Sequence, residues 1–139
     1  MALSYLLVNR CYGGFNFSHE FEEEYRRRHG EDVPSRWGTK GRSDPRVIAL
    51  FDELGSVRSS GECAKLKKVL VVESLLPFVV INEYDGSESW GVDYHHAEAA
   101  ILRSVVHAKE DANPAAVVSG AKQQWRTLQE ARAFQENLE

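Results

Sequence analysis

The fold is decided by residues 66–94, LKKVLVVESLLPFVVINEYDGSESWGVDY. Apolar and β-branched residues dominate two runs of this stretch, which predicts strands over 66–72 and 78–84. The pair Asp85-Gly86 then matches a two-residue hairpin turn, and apolar residues alternate beyond it as in a returning strand. Three strands of a sheet are therefore predicted here.

The flanking sequence predicts one more strand, over residues 4–9, and several helices. The helices are expected over 19–29, 45–54, 96–103 and 113–137, and residues 30–43 are expected to be a long loop. We therefore expect an α+β fold, a single domain with a small mixed or antiparallel sheet of about four strands flanked by three to four helices. Residues 1–112 would form the core domain, and residues 113–139 a C-terminal helix packed on the core or on a partner.

Composition excludes several classes of protein. The chain has 139 residues, of which 42% are apolar and 27% charged, with a net charge of -4, as is ordinary for one globular domain. The longest apolar stretch, Val69 to Ile81, is interrupted by polar residues and by Pro77. It is too short and too mixed for a membrane span, so no membrane partner is expected.

The N-terminus and the cysteines indicate a cellular compartment. Residues 1–9 lack the basic and apolar regions of a signal peptide, so we expect the mature chain to start here. The two cysteines, Cys11 and Cys63, do not make a disulfide framework or a zinc-binding pair. A cytoplasmic protein is therefore expected.

The most site-like loop is Tyr12-Gly13-Gly14, which leads from the first strand into a charged helix. A helix N-terminus behind a glycine-rich turn can hold an anion on its free N–H groups. The sequence contains no dinucleotide or phosphate-loop fingerprint, however, and glutamates already supply negative charge to this helix. The alternative is that the glycines only turn the chain.

A thiol enzyme is one alternative function. Cys11 follows the first strand, and His95 or His96 with Asp85 or Asp93 would supply a base and an orienting acid. No pattern in the sequence shows that these side chains meet, and small thiols are common in protein cores. The catalytic candidates are therefore Cys11, His95 and Asp85.

Residues 83–98 contain the densest group of carboxylates and imidazoles. Such side chains suit divalent metals, but their spacing matches no ligand signature. We expect a solvated turn and helix start, and no metal site. The sequence indicates no cofactor.

Residues 26–46 form a basic segment, with seven Lys or Arg residues against three acids. Arg36 and Trp37 within it would allow phosphate contact together with stacking on a base. The acidic chain as a whole argues against a dedicated nucleic-acid protein. Nucleotide or nucleic-acid binding stays an alternative.

Three motifs together resemble a known family. They are Asn9–Phe15 followed by Phe17-Ser18, then Ala64–Lys67, and then Ile81–Gly86. The sequence resembles, over roughly residues 5–96, a family of small proteins from viral and microbial genomes that share YGGF and NEYDG motifs and have no assigned activity. The resemblance implies that the following residues belong to the family pattern: Tyr12, Gly13, Gly14, Glu83, Tyr84, Asp85 and Gly86. It implies no reaction, ligand or partner, and does not include the segment after Asn113.

These features favour a non-catalytic binding or protein-interaction domain that uses two surfaces. One is the loop at Tyr12 to Gly14, and the other is the hairpin at Glu83 to Asp85. A hydrolase or transferase and a nucleotide-binding protein are the alternatives. The partner would be a protein or a small molecule, and the C-terminal helix could form a homodimer. The loop is expected to matter only if it meets the hairpin.

Overall fold

The computed structural model describes residues 1–36, 38–109 and 112–138. Within these ranges the elements run in the following order: β1 Leu3–Asn9, α1 His19–His29, α2 Thr39–Arg42, α3 Pro45–Ser59, β2 Leu66–Val72, a 3-10 helix Glu73–Phe78, β3 Val79–Tyr84, β4 Ser87–Val92, α4 Tyr94–Val106 and α5 Pro114–Leu138. The α+β class and the single small domain are therefore confirmed.

The strands form two antiparallel pairs, β1 with β2 and β3 with β4, rather than one sheet. Side chains provide the hydrogen bonds that link the end of β1 to β4. The backbone N–H of Asn9 donates to Glu88 Oε1 at 2.7 Å, and Arg10 Nη1 donates to the Glu88 carbonyl at 3.1 Å. In a continuous sheet a backbone carbonyl of β4 would accept the Asn9 N–H. The Glu88 carboxylate accepts it instead, so the hydrogen-bond ladder does not continue from β1 to β4.

The β1–β2 pair is covered by helices on both faces, since successive side chains of a strand point to opposite sides. Leu7 of β1 packs with the core residues of α1 and α3, and its neighbours Leu6 and Val8 pack with those of α4 and α5. The two clusters therefore lie back to back across this pair of strands.

Local signals set most helix boundaries, with two exceptions. Ser18 and Gly30 cap α1 as expected. Residues 30–43 are not entirely loop, because α2 forms one turn that ends at the buried Arg42. The helical run that begins at Pro45 ends at Gly55 as expected, because a φ of 81° and a ψ of 168° are not helical and glycine adopts them without steric cost, but a second short helical run follows it and extends α3 to Ser59.

Helix α5 packs on the core through Leu128, Ala131 and Gln135, all buried. The amide of Gln135 accepts the Val72 N–H at 2.7 Å and donates to the Leu70 carbonyl at 3.2 Å. This side chain therefore occupies the edge of β2 that does not face β1. Trp125 and Phe134 of the same helix are exposed, although a helical spacing of apolar residues predicts that they face the core. Among the described residues, no helix is long and apolar enough to cross a membrane.

We predict that Gln135→Leu lowers the free energy of unfolding by about 2 kcal/mol, because the buried N–H of Val72 loses its acceptor. Urea denaturation measures the change. Gln129→Leu on the same helix is the control, because no hydrogen bond of its side chain is present among the described residues, and its effect should stay within about 0.5 kcal/mol. Equal effects of the two substitutions would contradict the role of the Gln135 amide.

Candidate functional site

The loop after β1 meets the β3–β4 turn backbone to backbone. The N–H of Gly13 donates to the Asp85 carbonyl at 3.1 Å. Gly86 has a φ of 89°, and a Cβ added to it would lie 2.2 Å from the nitrogen of Gly14, so only glycine fits here. We call this contact, between residues 12–14 and 85–86, the clasp.

Asn9, fully buried at the end of β1, holds both sides of the clasp. Its Nδ2 donates to the carbonyls of Cys11 at 2.6 Å and Gly86 at 2.8 Å. Its Oδ1 accepts from the backbone N–H groups of Lys65 at 2.9 Å and Cys11 at 3.3 Å. One amide therefore fixes the loop after β1, the start of β2 and the hairpin turn together.

A buried ion pair lies beside the clasp. Arg42 Nη1 and Nη2 donate to Glu88 Oε1 and Oε2 at 2.6 and 2.8 Å. Arg42 is 6% exposed and Glu88 5%. The same Oε1 accepts the Asn9 N–H. This bidentate arrangement satisfies both charges and fixes their relative orientation.

Arg42 also fastens the 30–43 segment to the rest of the domain. Its Nε donates to the Arg36 carbonyl at 2.8 Å, and its guanidinium carbon lies 4.0 Å from the centre of the Phe15 ring. Arg36 Nη1 donates to the Phe15 carbonyl at 2.9 Å, and Thr39 Oγ1 to the Leu76 carbonyl at 3.2 Å. Together with the ion pair to Glu88, these contacts tie the segment to β4, to the loop at Phe15 and to the 3-10 helix.

These elements enclose an open cleft of about 630 Å³. Its apolar lining is Phe15, Pro77, Val79 and Ile81, and its other lining residues are Gly13, Gly14, Asn16, Arg36, Gly38, Thr39, Arg42, Glu83 and Glu88. Glu83 is directly opposite Glu88 in the β3–β4 register, so both carboxylates lie on the same face of the hairpin. The cleft therefore combines an apolar wall with ionic groups of both signs.

Several residues that the sequence singled out meet at this cleft. Gly13, Gly14, Glu83 and Arg36 all line it. The Gly13 N–H is already bonded to the hairpin, so it is not free to bind an anion. Asp85 contributes its backbone carbonyl to the clasp.

The two tyrosines of the predicted binding set lie outside the cleft lining. Tyr12 is 62% exposed and Tyr84 79%. Trp37, also predicted to bind, lies outside the described residues. Neither tyrosine therefore lines the cleft.

The structure places the catalytic candidates at opposite ends of β4. Cys11 and Asp85 lie near its start, whereas His95 follows its end, and a six-residue strand spans about 17 Å. Among the described residues, no side-chain hydrogen bond joins any two of the three, and the ring of His96 instead packs against Phe78 at 5.6 Å. No group of three His, Cys, Asp or Glu residues that could hold a metal occurs in the described ranges.

Ion pairs offset the positive charge of residues 26–46. Among the described residues, the following basic side chains of this segment lie within 4.0 Å of a carboxylate: Arg26, Arg27, Arg28, Arg42 and Arg46. Several of the carboxylates come from outside the segment, including Glu24, Glu53 and Glu88. Hydrogen bonds from Arg27 and Arg28 lower the pKa of Glu24 to about 2. That carboxylate therefore stays ionised at neutral and mildly acidic pH.

Asn9 and Arg42 were not predicted as site residues from the sequence, and Glu88 stood out only as one of the acids of residues 83–98. One signal was present for Glu88, because it alternates with Trp90 and Val92 and so belongs to the inward face of its strand. An acid on such a face needs a partner. No local pattern marked Arg42, whose partner is 46 residues away.

Comparison of the chain with models of known protein families, with curated protein sequences and with solved structures found no match.

We predict that Glu88→Gln lowers the free energy of unfolding by about 3 kcal/mol, because it leaves the buried Arg42 charge without its counterion. Urea denaturation measures the loss. The control is Glu20→Gln, which breaks the exposed pair with Arg58 and should change stability by less than about 1 kcal/mol. The double variant Arg42→Met/Glu88→Leu removes both charges and should recover part of the loss. A Glu88→Gln effect as small as that of the control would contradict this role.

We predict that Gly86→Ala lowers the free energy of unfolding by about 3 kcal/mol, from its positive φ and from the clash with the Gly14 backbone. The control is Gly30→Ala, where φ is 69° and no atom lies within 4 Å of the added Cβ. That variant should lose about 1 kcal/mol, from backbone strain alone. Thermal and urea unfolding compare the two, and equal losses would show that the clasp is looser than described.

Proposed function

We propose that the protein is a non-catalytic binding domain that holds a small polar ligand in the cleft beside the clasp. The observation that carries the proposal is the convergence of the Gly13-Gly14 loop, the 30–43 segment and the β3–β4 hairpin on one cavity. Its volume, about 630 Å³, lies within the range of small-molecule sites. Four apolar side chains form one part of the lining and polar or ionic residues the larger part, which favours a polar ligand.

The fastening of the cleft walls supports this proposal. The Arg42–Glu88 pair and the Asn9 amide hold the lining elements in place before any ligand arrives. A preorganised site loses less conformational entropy on binding than one that must be ordered by its ligand. The cleft is therefore suited to selective binding of a small molecule.

The separation of the thiol and imidazole candidates supports binding without catalysis. Cys11 is absent from the cleft lining, and His95 lines a different, smaller cavity with Glu98 and Arg132. A nucleophile and its base must come within hydrogen-bond reach to act together. The ion pairs of residues 26–46 likewise leave little net charge for phosphate contact.

The test compares two tryptophan substitutions on neighbouring residues of β3. Ile81 lines the cleft, whereas Val80 points to the opposite face and is 43% exposed. Ligand-observed NMR with a panel of amino acids, organic acids, amines, sugars and nucleoside monophosphates identifies molecules that bind the unmodified protein. We predict that Ile81→Trp, which fills the cleft, weakens their binding at least tenfold, and that Val80→Trp leaves it unchanged.

Two results would contradict the proposal. One is that no molecule of the panel binds. The other is that both tryptophan variants bind every ligand as the unmodified protein does, which would place binding elsewhere on the molecule.

A further inference from the structure

The cleft lining contains a buried ion pair, which forms its floor and has no net charge, and two further ionic side chains. Arg42 and Glu88 neutralise each other through two short hydrogen bonds and are almost completely buried. Among the described residues, the other ionic groups of the lining are Arg36 and Glu83, both exposed. A ligand therefore meets one cation and one anion at the accessible part of the cleft.

The two groups come from different walls. Arg36 belongs to the segment before α2, and Glu83 to β3. The Glu83 carboxylate has no hydrogen bond or ion pair with any of the described residues. Arg36 donates to the Phe15 carbonyl, and a guanidinium has five N–H donors, so a ligand carboxylate can join its existing partners. The cleft can accordingly bind a positive group on one wall and a negative group on another.

The clasp restricts the kind of anion that fits. The Gly13 N–H is bonded to Asp85, so the glycine loop lacks one of the N–H groups that a phosphate site at this turn would use. The Glu83 carboxylate would repel a ligand of high negative charge. A single carboxylate together with an ammonium group meets both constraints.

The apolar wall defines the rest of the ligand. Pro77, Val79 and Ile81 line one side of the cleft and Phe15 another. None of these side chains carries a hydrogen-bonding group, so an aliphatic side chain of the ligand would gain by leaving water here.

We infer that the cleft takes a zwitterionic amino acid or dipeptide with an apolar side chain, its ammonium group on Glu83 and its carboxylate on Arg36. This inference rests on the proposed function and adds the chemical class of its ligand. The apolar side chain lies against Val79 and Ile81.

The test uses three probes that share one side chain and differ in their charged groups: L-leucine, L-leucine amide, which lacks the carboxylate, and N-acetyl-L-leucine, which lacks the ammonium group. Dissociation constants come from NMR titrations at constant pH and low ionic strength. L-Leucine is expected to bind about fivefold more tightly than either derivative, the effect of one exposed ion pair. Glycine, which lacks the apolar side chain, should bind more weakly than L-leucine.

Two substitutions should produce opposite patterns. Glu83→Gln should weaken L-leucine and L-leucine amide about fivefold and leave N-acetyl-L-leucine unchanged. Arg36→Gln should weaken L-leucine and N-acetyl-L-leucine and leave the amide unchanged. The control is Glu73→Gln, since Glu73 is exposed on the 3-10 helix and does not line the cleft; it should change none of the three.

The inference is overturned if N-acetyl-L-leucine binds as tightly as L-leucine, or if Glu83→Gln has no more effect than Glu73→Gln. If the inference fails in this way but Ile81→Trp weakens the binding of other panel molecules, the proposed function stands with a different ligand. If nothing binds, both the ligand class and the proposed function fail.

Discussion

The buried ion pair between Arg42 and Glu88 is the constraint on which the rest of the site depends. It joins α2 to β4, which share no strand ladder, and through the Asn9 N–H it also reaches the end of β1. Burying two charges costs much of what their attraction returns, so such a pair is weak evidence for high stability. Its directional hydrogen bonds instead require one relative placement of these elements, which apolar contacts alone would not specify.

The position of Glu88 also explains why the protein has a cleft at all. If a backbone carbonyl of β4 accepted the Asn9 N–H at this point, β4 could pair with β1 and extend the β1–β2 ladder. The Glu88 side chain accepts the Asn9 N–H instead, and its carboxylate becomes the floor of the cavity. The same side chain thus takes part both in the interruption of the sheet and in the lining of the cleft.

Local signals in the sequence predicted the elements well, because each depends on neighbouring residues. The caps Ser18 and Gly30 bounded α1 correctly, and Asp85-Gly86 marked the hairpin turn. Arg42 had no such signal, because its burial depends on Glu88, far along the chain. The helical pattern of α5 likewise did not show that the polar residue Gln135 would be buried while Trp125 and Phe134 on the same helix are exposed.

The candidate site was only half predictable for the same reason. Gly13, Gly14 and Glu83 stood out as motif residues, and all three line the cleft. The sequence did not show which polar groups of these residues are available to a ligand. The Gly13 N–H, for example, is bonded to the Asp85 carbonyl. Motif residues therefore marked part of the cleft lining, whereas tertiary hydrogen bonds decide which of their polar groups are already bonded.

The Gln135 amide has a consequence for the chain while it is being made. The residue lies 63 positions after Val72, whose N–H it accepts. At synthesis rates of about 5–20 residues per second, the edge of β2 emerges roughly 3 to 13 s before the side chain that covers it. Throughout that interval the growing chain exposes an unpaired strand edge, the kind of surface through which nascent proteins associate with one another. Helix α5 thus covers a strand edge that residues before it in the chain have already formed.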